Sequence, residues 1–142
     1  MGIGRAPRVG TGKGLQDADW LLGLAGGDNL ICQDVTCLAG GGQPGAPVMG
    51  GVVNGVEATL IRLKVVTSVN DSSQLPQAIH GREISVLNGT ANSANIYANS
   101  NVNKATGALD TVNGAVNTQA VAVAGNATAY FFCPADGVWG QK

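Results

Sequence analysis

The sequence predicts an all-β fold: a compact sandwich or barrel-like domain of short antiparallel strands, preceded by an extended N-terminal arm and one short helix. Three observations predict it. Glycine supplies 22 of the 142 residues, and interior glycines suit many tight turns far better than long helices. Short segments alternate apolar and polar residues, the period of a half-buried strand. Turn dipeptides, among them Asn88-Gly89 and Asn113-Gly114, punctuate the chain at short intervals, as they do in sandwiches and barrels. A chain of 142 residues with 44% apolar content has room for one domain with a modest core.

Residues 1–14, MGIGRAPRVGTGKG, form the arm, since five glycines and a proline without apolar periodicity favour no regular element. Residues 15–28 contain the helix DADWLLGLA. Asp17 or Asp19 can cap its first turn and suit its dipole, and Gly26-Gly27 ends it. Trp20, Leu21 and Leu24 share one face, which serves either as a lid on the β core or as an apolar anchor on a neighbour.

The β domain is assigned to residues 29–142. Leu30–Thr36 is its first strand, and the Gly/Pro-rich stretch Leu38–Gly55 is a loop. Glu57–Val69 is the clearest strand, with Ile61, Leu63, Val65, Thr67 and Val69 on one face. Asn70-Asp71-Ser72-Ser73 turns the chain. Glu83–Asn88 follows with Ile84 and Val86 inward, and Asn88-Gly89 returns it as a hairpin to Asn95–Ala98. Asn99–Gly107 is a loop, and Asn113-Gly114 makes a second tight turn. Thr118–Val123, Ala127–Cys133 and Val138-Trp139 complete the strands, with Phe132 and Trp139 counted among the core or subunit-interface residues. SVLNGTANSANIY and TVNGAVNTQAVAV share hairpin grammar, with no period of a solenoid.

Charge is sparse, at 12% of residues and a net of −1, which gives no global case for nucleic-acid binding. Arg5, Arg8 and Lys13 nevertheless precede an acidic remainder. A surface so poor in ions suits a chain that covers itself with neighbours. There is no apolar run long enough to span a membrane and no secretory signal, so synthesis in a cytoplasm is expected. Cys32, Cys37 and Cys133 match no zinc spacing and cannot all pair internally. A Cys32–Cys37 bridge is disfavoured in a reducing compartment, and Cys133, after Phe131-Phe132, reads as a small buried hydrophobe.

No catalytic constellation is expected. His80 is the single histidine, set in a turn and without a nucleophile nearby in sequence. The acids form neither a glycosidase pair nor a calcium loop. GTGKG at residues 10–14 lacks the spacing of a phosphate loop. The expectation is a non-enzyme with no cofactor and no metal.

Several segments in fixed order resemble a family of small β-rich proteins of tailed bacteriophages. They are DADWLLGLAGG (17–27), LAGGGQ (38–43), VVTSVNDSSQLPQAIHGREISVLN (65–88), NIYA (95–98), DTVNG (110–114) and VAGNATAYFFCPADGVW (123–139). The resemblance implies a virion structural protein, foremost a capsid decoration (cement) protein on the outer head surface. Its partners would be the major capsid protein and itself, as a homotrimer, with neither nucleic acid nor membrane. The alternative is a head-fibre, tail-fibre or spike domain that binds a host surface. In the decoration reading Arg5, Arg8 and Lys13 form the capsid-binding arm and Trp20, Leu21 and Leu24 the anchor. Ile61, Leu63, Val65, Ile84, Val86, Phe132 and Trp139 pack the core or the subunit interface.

Overall fold

A computed structural model describes residues 32–53 and 55–142, and the compact unit within it is Cys32–Lys142. The predicted arm and helix, with Arg5, Arg8, Lys13, Trp20, Leu21 and Leu24, lie outside the described residues. The described unit is all-β. Its strands are β1 (Cys32–Thr36), β2 (Val52–Val53), β3 (Val56–Glu57), β4 (Leu60–Val65), β5 (Ser72–Gln74) and β6 (Glu83–Asn88), then β7 (Ala94–Tyr97), β8 (Thr111–Val112), β9 (Val121–Val123), β10 (Thr128–Ala135) and β11 (Val138–Gln141).

A six-stranded sheet has the order β1-β4-β6-β10-β11-β8, a three-stranded sheet the order β9-β7-β5, and β2 pairs with β3 alone. The expected antiparallel sandwich or barrel is corrected here, because four of the eight strand pairs are parallel: β1 with β4, β4 with β6, β5 with β7, and β8 with β11. The chain visits the sheets alternately, β4 in the large, β5 in the small, β6 in the large, β7 in the small. Leu60 stands beside Ser85 and Ser72 beside Asn95, offsets of 25 and 23 residues. The path is solenoid-like, winding into rungs. The rung length was invisible in the sequence because successive rungs share geometry and almost no residues.

The turns explain the difference. Asn88-Gly89 is no hairpin: β6 and β7 belong to different sheets, and the Asn88 side chain turns inward. Its amide donates to the carbonyls of Asn92 and Val123, and its oxygen accepts from Thr90 N–H and Oγ1. The residue acts as a corner post, not as a turn residue. Gly125-Asn126 likewise carries the chain from β9 in one sheet to β10 in the other, with Asn126 at φ 58°. Asn113-Gly114 is the tight turn expected, with both residues at positive φ (52° and 75°) and Ala115 N–H closing it on the Val112 carbonyl at 2.9 Å.

Asn70–Ser73 is also corrected. Ser72-Ser73-Gln74 is β5, a fully buried polar strand. Its side chains are satisfied by the irregular loop 38–49, which runs beside it. Ser72 Oγ donates to the Gly42 carbonyl, Ser73 Oγ to Pro47, and Gln74 Nε2 to Gln43 and Ala46. A Gly/Pro-rich loop cannot supply a regular ladder, so polar side chains replace the missing backbone bonds. A second buried network continues from the first through Gln43. Gln43 Nε2 reaches Ala98 and Asn117, Asn117 Nδ2 reaches Asn99 and Asp110, and Asn103 Nδ2 reaches Ala78 and Asp110.

The core lies where the inward residues of the large sheet meet those of the small one. Val35, Ile61, Leu63, Ile84, Val86, Phe131 and Trp139 come from the former, and Ala94, Ile96 and Val123 from the latter. Burial stabilises each large apolar side chain by about 1.5–3 kcal/mol. Alternation in β6 is as read, with Ile84 and Val86 buried. In the predicted strand Glu57–Val69 it holds through Leu63 and then fails. A register shift opposite Thr36 turns Val65 outward, and Val66 is buried in its place.

Candidate functional site

Of the residues proposed as core or interface, Ile61, Leu63, Ile84, Val86 and Trp139 are buried within the single chain. They pack the core and present no surface to another subunit. Val65 is 37% exposed, and Phe132 is half-buried. The frame of β10 runs one residue off the expectation. Ala129, Phe131 and Cys133 point inward, and Tyr130 and Phe132 outward. The signal was available: Cys133 reads as buried, and a period of two then places Phe131, not Phe132, beside it in the core.

The outward side chains of the six-stranded sheet form ordered rows. Cys32, Leu60, Ser85 and Tyr130 lie in register across β1, β4, β6 and β10, and Asp34, Arg62, Leu87 and Thr128 form the next row. Arg62 grips Asp34 in a fork, Nε to Oδ1 and Nη2 to Oδ2, each 2.7 Å. That hydrogen bond holds the exposed Asp34 carboxyl below its usual range. Cys32, Leu60, Leu87 and Thr128 border an apolar hollow of about 270 Å³ on this face.

Beside it an open groove of about 500 Å³ is bounded by Glu57, Leu60, His80, Arg82, Glu83 and Tyr130. Three separate segments build it. Glu57 comes from β3, His80 and Arg82 from the turn before β6, and Tyr130 from β10. Arg82 is fixed at both ends of its guanidinium, Nη1 on the Gln77 carbonyl and Nη2 on Glu57 Oε2, each 2.8 Å. Tyr130 stacks on Phe132, with ring centroids 5.9 Å apart and planes inclined 22°. The Phe132 ring in turn lies over Gly140, where a Cβ would meet it at 2.6 Å. Hydrogen bonding to the Glu83 carboxylate, then burial, raises the Tyr130 phenol above its usual range.

His80 occupies an exposed turn, as read, with its backbone N–H on Asp136 Oδ1 at 2.8 Å. Among the described residues no group of three His, Cys, Asp or Glu side chains is placed to hold a metal. All three cysteines are free, Cys32 exposed and Cys37 and Cys133 buried. No described helix is long and apolar enough to cross a membrane. Sequence reasoning missed the groove because no motif marks it; only the winding of the rungs brings residues 57, 82 and 130 together.

The described residues form a small all-β unit of mixed parallel and antiparallel strands, with an outward sheet face of mixed apolar and paired ionic rows. Comparison with known proteins finds no matching family model, characterised protein or solved structure.

Proposed function

We propose that this chain is a structural virion protein of a tailed bacteriophage, foremost a capsid decoration protein. It would bind the outer head surface as a homotrimer and bridge major capsid protein subunits. The observation that carries this reading is the surface of the described unit. Large apolar side chains stand exposed over it, including Val52 at 69%, Val116 at 67% and Val102 at 54%. Few charges separate them, and two of the acids, Asp71 and Asp110, are buried. Where exposed apolar side chains adjoin, as Leu60 and Leu87 do around the hollow on the large sheet, a covering partner would gain stability. The resemblance of residues 65–88 and 123–139 to small phage virion proteins supports the same reading.

Repetition on a symmetric particle multiplies a weak contact, so modest adhesive area suffices for each copy. The basic residues Arg5, Arg8 and Lys13 would meet an acidic capsid surface, and Trp20, Leu21 and Leu24 would anchor the chain there.

The test is co-sedimentation of purified protein with undecorated heads of the phage that encodes it. Saturable binding at a fixed number of copies per head, lost on deletion of residues 1–14, is the expected result. A monomer that stays in the supernatant at saturating concentration overturns the proposal. Occupancy unchanged by the deletion removes the arm from it.

A further inference from the structure

The groove between β3, the turn before β6 and β10 has the makings of a ligand site that the decoration role does not use. We propose that it binds a neutral saccharide, through stacking on Tyr130 and hydrogen bonds to Glu57, Glu83 and Arg82. Four observations converge on that ligand.

The groove is open and, at about 500 Å³, has room for two or three sugar rings, and ligand sites generally fall in this range. Its lining mixes apolar and aromatic side chains, Leu60 and Tyr130, with polar ones, Glu57, Arg82 and Glu83. A pyranose offers both kinds of surface: C–H groups on its faces and hydroxyls around its rim. An aromatic ring takes the C–H face by dispersion and quadrupole attraction. Planar carboxylate and guanidinium groups take pairs of adjacent hydroxyls, the first as acceptor and the second as donor.

Two of the lining groups are also held in place. Arg82 is held by Gln77 and Glu57, and Tyr130 is braced by Phe132. Groups held before the ligand arrives lose little entropy when it binds. Finally, Glu57 is paired with Arg82, which leaves the Glu83 carboxylate as the unbalanced charge among these three groups. That charge repels acidic polymers such as polyuronates and sulfated chains, and it leaves uncharged hydroxyls as the partners. Nothing in the groove calls for a covalent step. The proposed role is binding alone, and a coat protein or a fibre domain would both present the site to solvent.

The test uses the full chain and a panel of soluble hexasaccharides of glucose, mannose and galactose, with polygalacturonate as the acidic comparator. Binding is followed by titration calorimetry and by chemical-shift changes. The expected result is saturable binding of at least one neutral hexasaccharide and none of polygalacturonate. Tyr130→Ala should weaken that binding about tenfold or more, and Glu57→Gln should weaken it severalfold. Val116→Ser, on the exposed surface outside the groove, should leave it unchanged. Thermal melts and near-ultraviolet dichroism identify any variant that fails to fold, and Tyr130→Leu, which keeps an apolar side chain, then replaces Tyr130→Ala. Absence of binding by the native protein at millimolar sugar overturns the proposal. So does binding that survives both groove substitutions, or a preference for the acidic polymer.

Discussion

The indole N–H of Trp139 donates to the carbonyl of Pro76 across 3.1 Å, inside the protein. The bond joins β11 to the connection that follows β5, so one side chain ties the large sheet to the corner leaving the small one. Pro76 precedes the start of β6 by a short loop, and its carbonyl has no place in either ladder. A buried acceptor of this kind needs a donor. Trp139→Phe should therefore destabilise the fold by about 1–3 kcal/mol, since it keeps most of the packing and strands the carbonyl. Trp139→Ala should cost about 3–5 kcal/mol through the cavity left behind. Urea unfolding followed by Phe and Tyr fluorescence checks both, with unchanged midpoints counting against the bond.

Asp71 is buried at the corner between β4 and β5 and accepts hydrogen bonds from Gly40 N–H, from Thr67 N–H and Oγ1, and from Ser68 N–H and Oγ. These bonds, Thr67 Oγ1 foremost, hold its carboxyl far below the ordinary value of 3.8. A depressed folded-state value means that the ionised form is the stabilising one. Its contribution is complete above the unfolded-state pKa of about 3.9 and disappears as pH falls toward the folded value. Asp71→Asn should lower the melting temperature by roughly 5–10 °C at neutral pH. The gap between variant and native protein should narrow on acidification below about pH 4. A gap that stays constant from neutral to strongly acid pH would contradict this account.

Gly125 separates two kinds of glycine requirement. A Cβ there would fall on the carbonyl of Ala91, whereas one at Gly114 would meet open space. At Gly114 the demand is conformational, φ 75°; at Gly125 it is the close approach of two chain segments. Gly125→Ala should cost about 1–3 kcal/mol or more, because backbone must move. Gly114→Asn should cost well under that, since Asn tolerates the left-handed region. Denaturation midpoints of the two variants, measured side by side, decide the matter.

Thiol chemistry offers a check on the frame of β1 and β10. Cys32 is exposed, while Cys37 and Cys133 are buried. Burial pushes both buried thiols up to about 11, aided at Cys37 by the Asp71 charge. An aromatic disulfide reagent at about pH 8 should label one thiol rapidly in the native protein and all three after denaturation. Rapid labelling of two or three native thiols would mean that Cys37 or Cys133 faces outward.

How far the sequence disclosed this arrangement depends on the scale of the signal. Local alternation was legible: Ile84 and Val86 face inward because a strand places every second side chain on one face. The Asn113-Gly114 turn was legible for the same reason, since the dipeptide carries its own backbone preference. Which sheet a strand joins is not a local property. Asn88-Gly89 has the composition of a hairpin turn, yet the Asn88 amide finds better partners in Asn92 and Val123, the latter 35 residues away. Ser72-Ser73-Gln74 has the composition of a loop, and it becomes a buried strand only because the segment 38–49 offers it carbonyls. In both cases long-range hydrogen bonds overrule short-range propensity. The groove shares this origin, so neither Glu57 nor Tyr130 could be singled out in advance.

The alternating path between sheets has a consequence for how the protein is made. Each rung waits for a partner some two dozen residues further along, and β10, placed between β6 and β11 in the large sheet, joins only after nearly all the others. β1, β4 and β6 can pair with one another as they form, whereas the far edge of β6 stays open until residues 128–132 are made. A chain caught in that interval presents an unpaired strand edge on which a second copy can dock, so crowding of unfinished chains favours mispairing over the native winding.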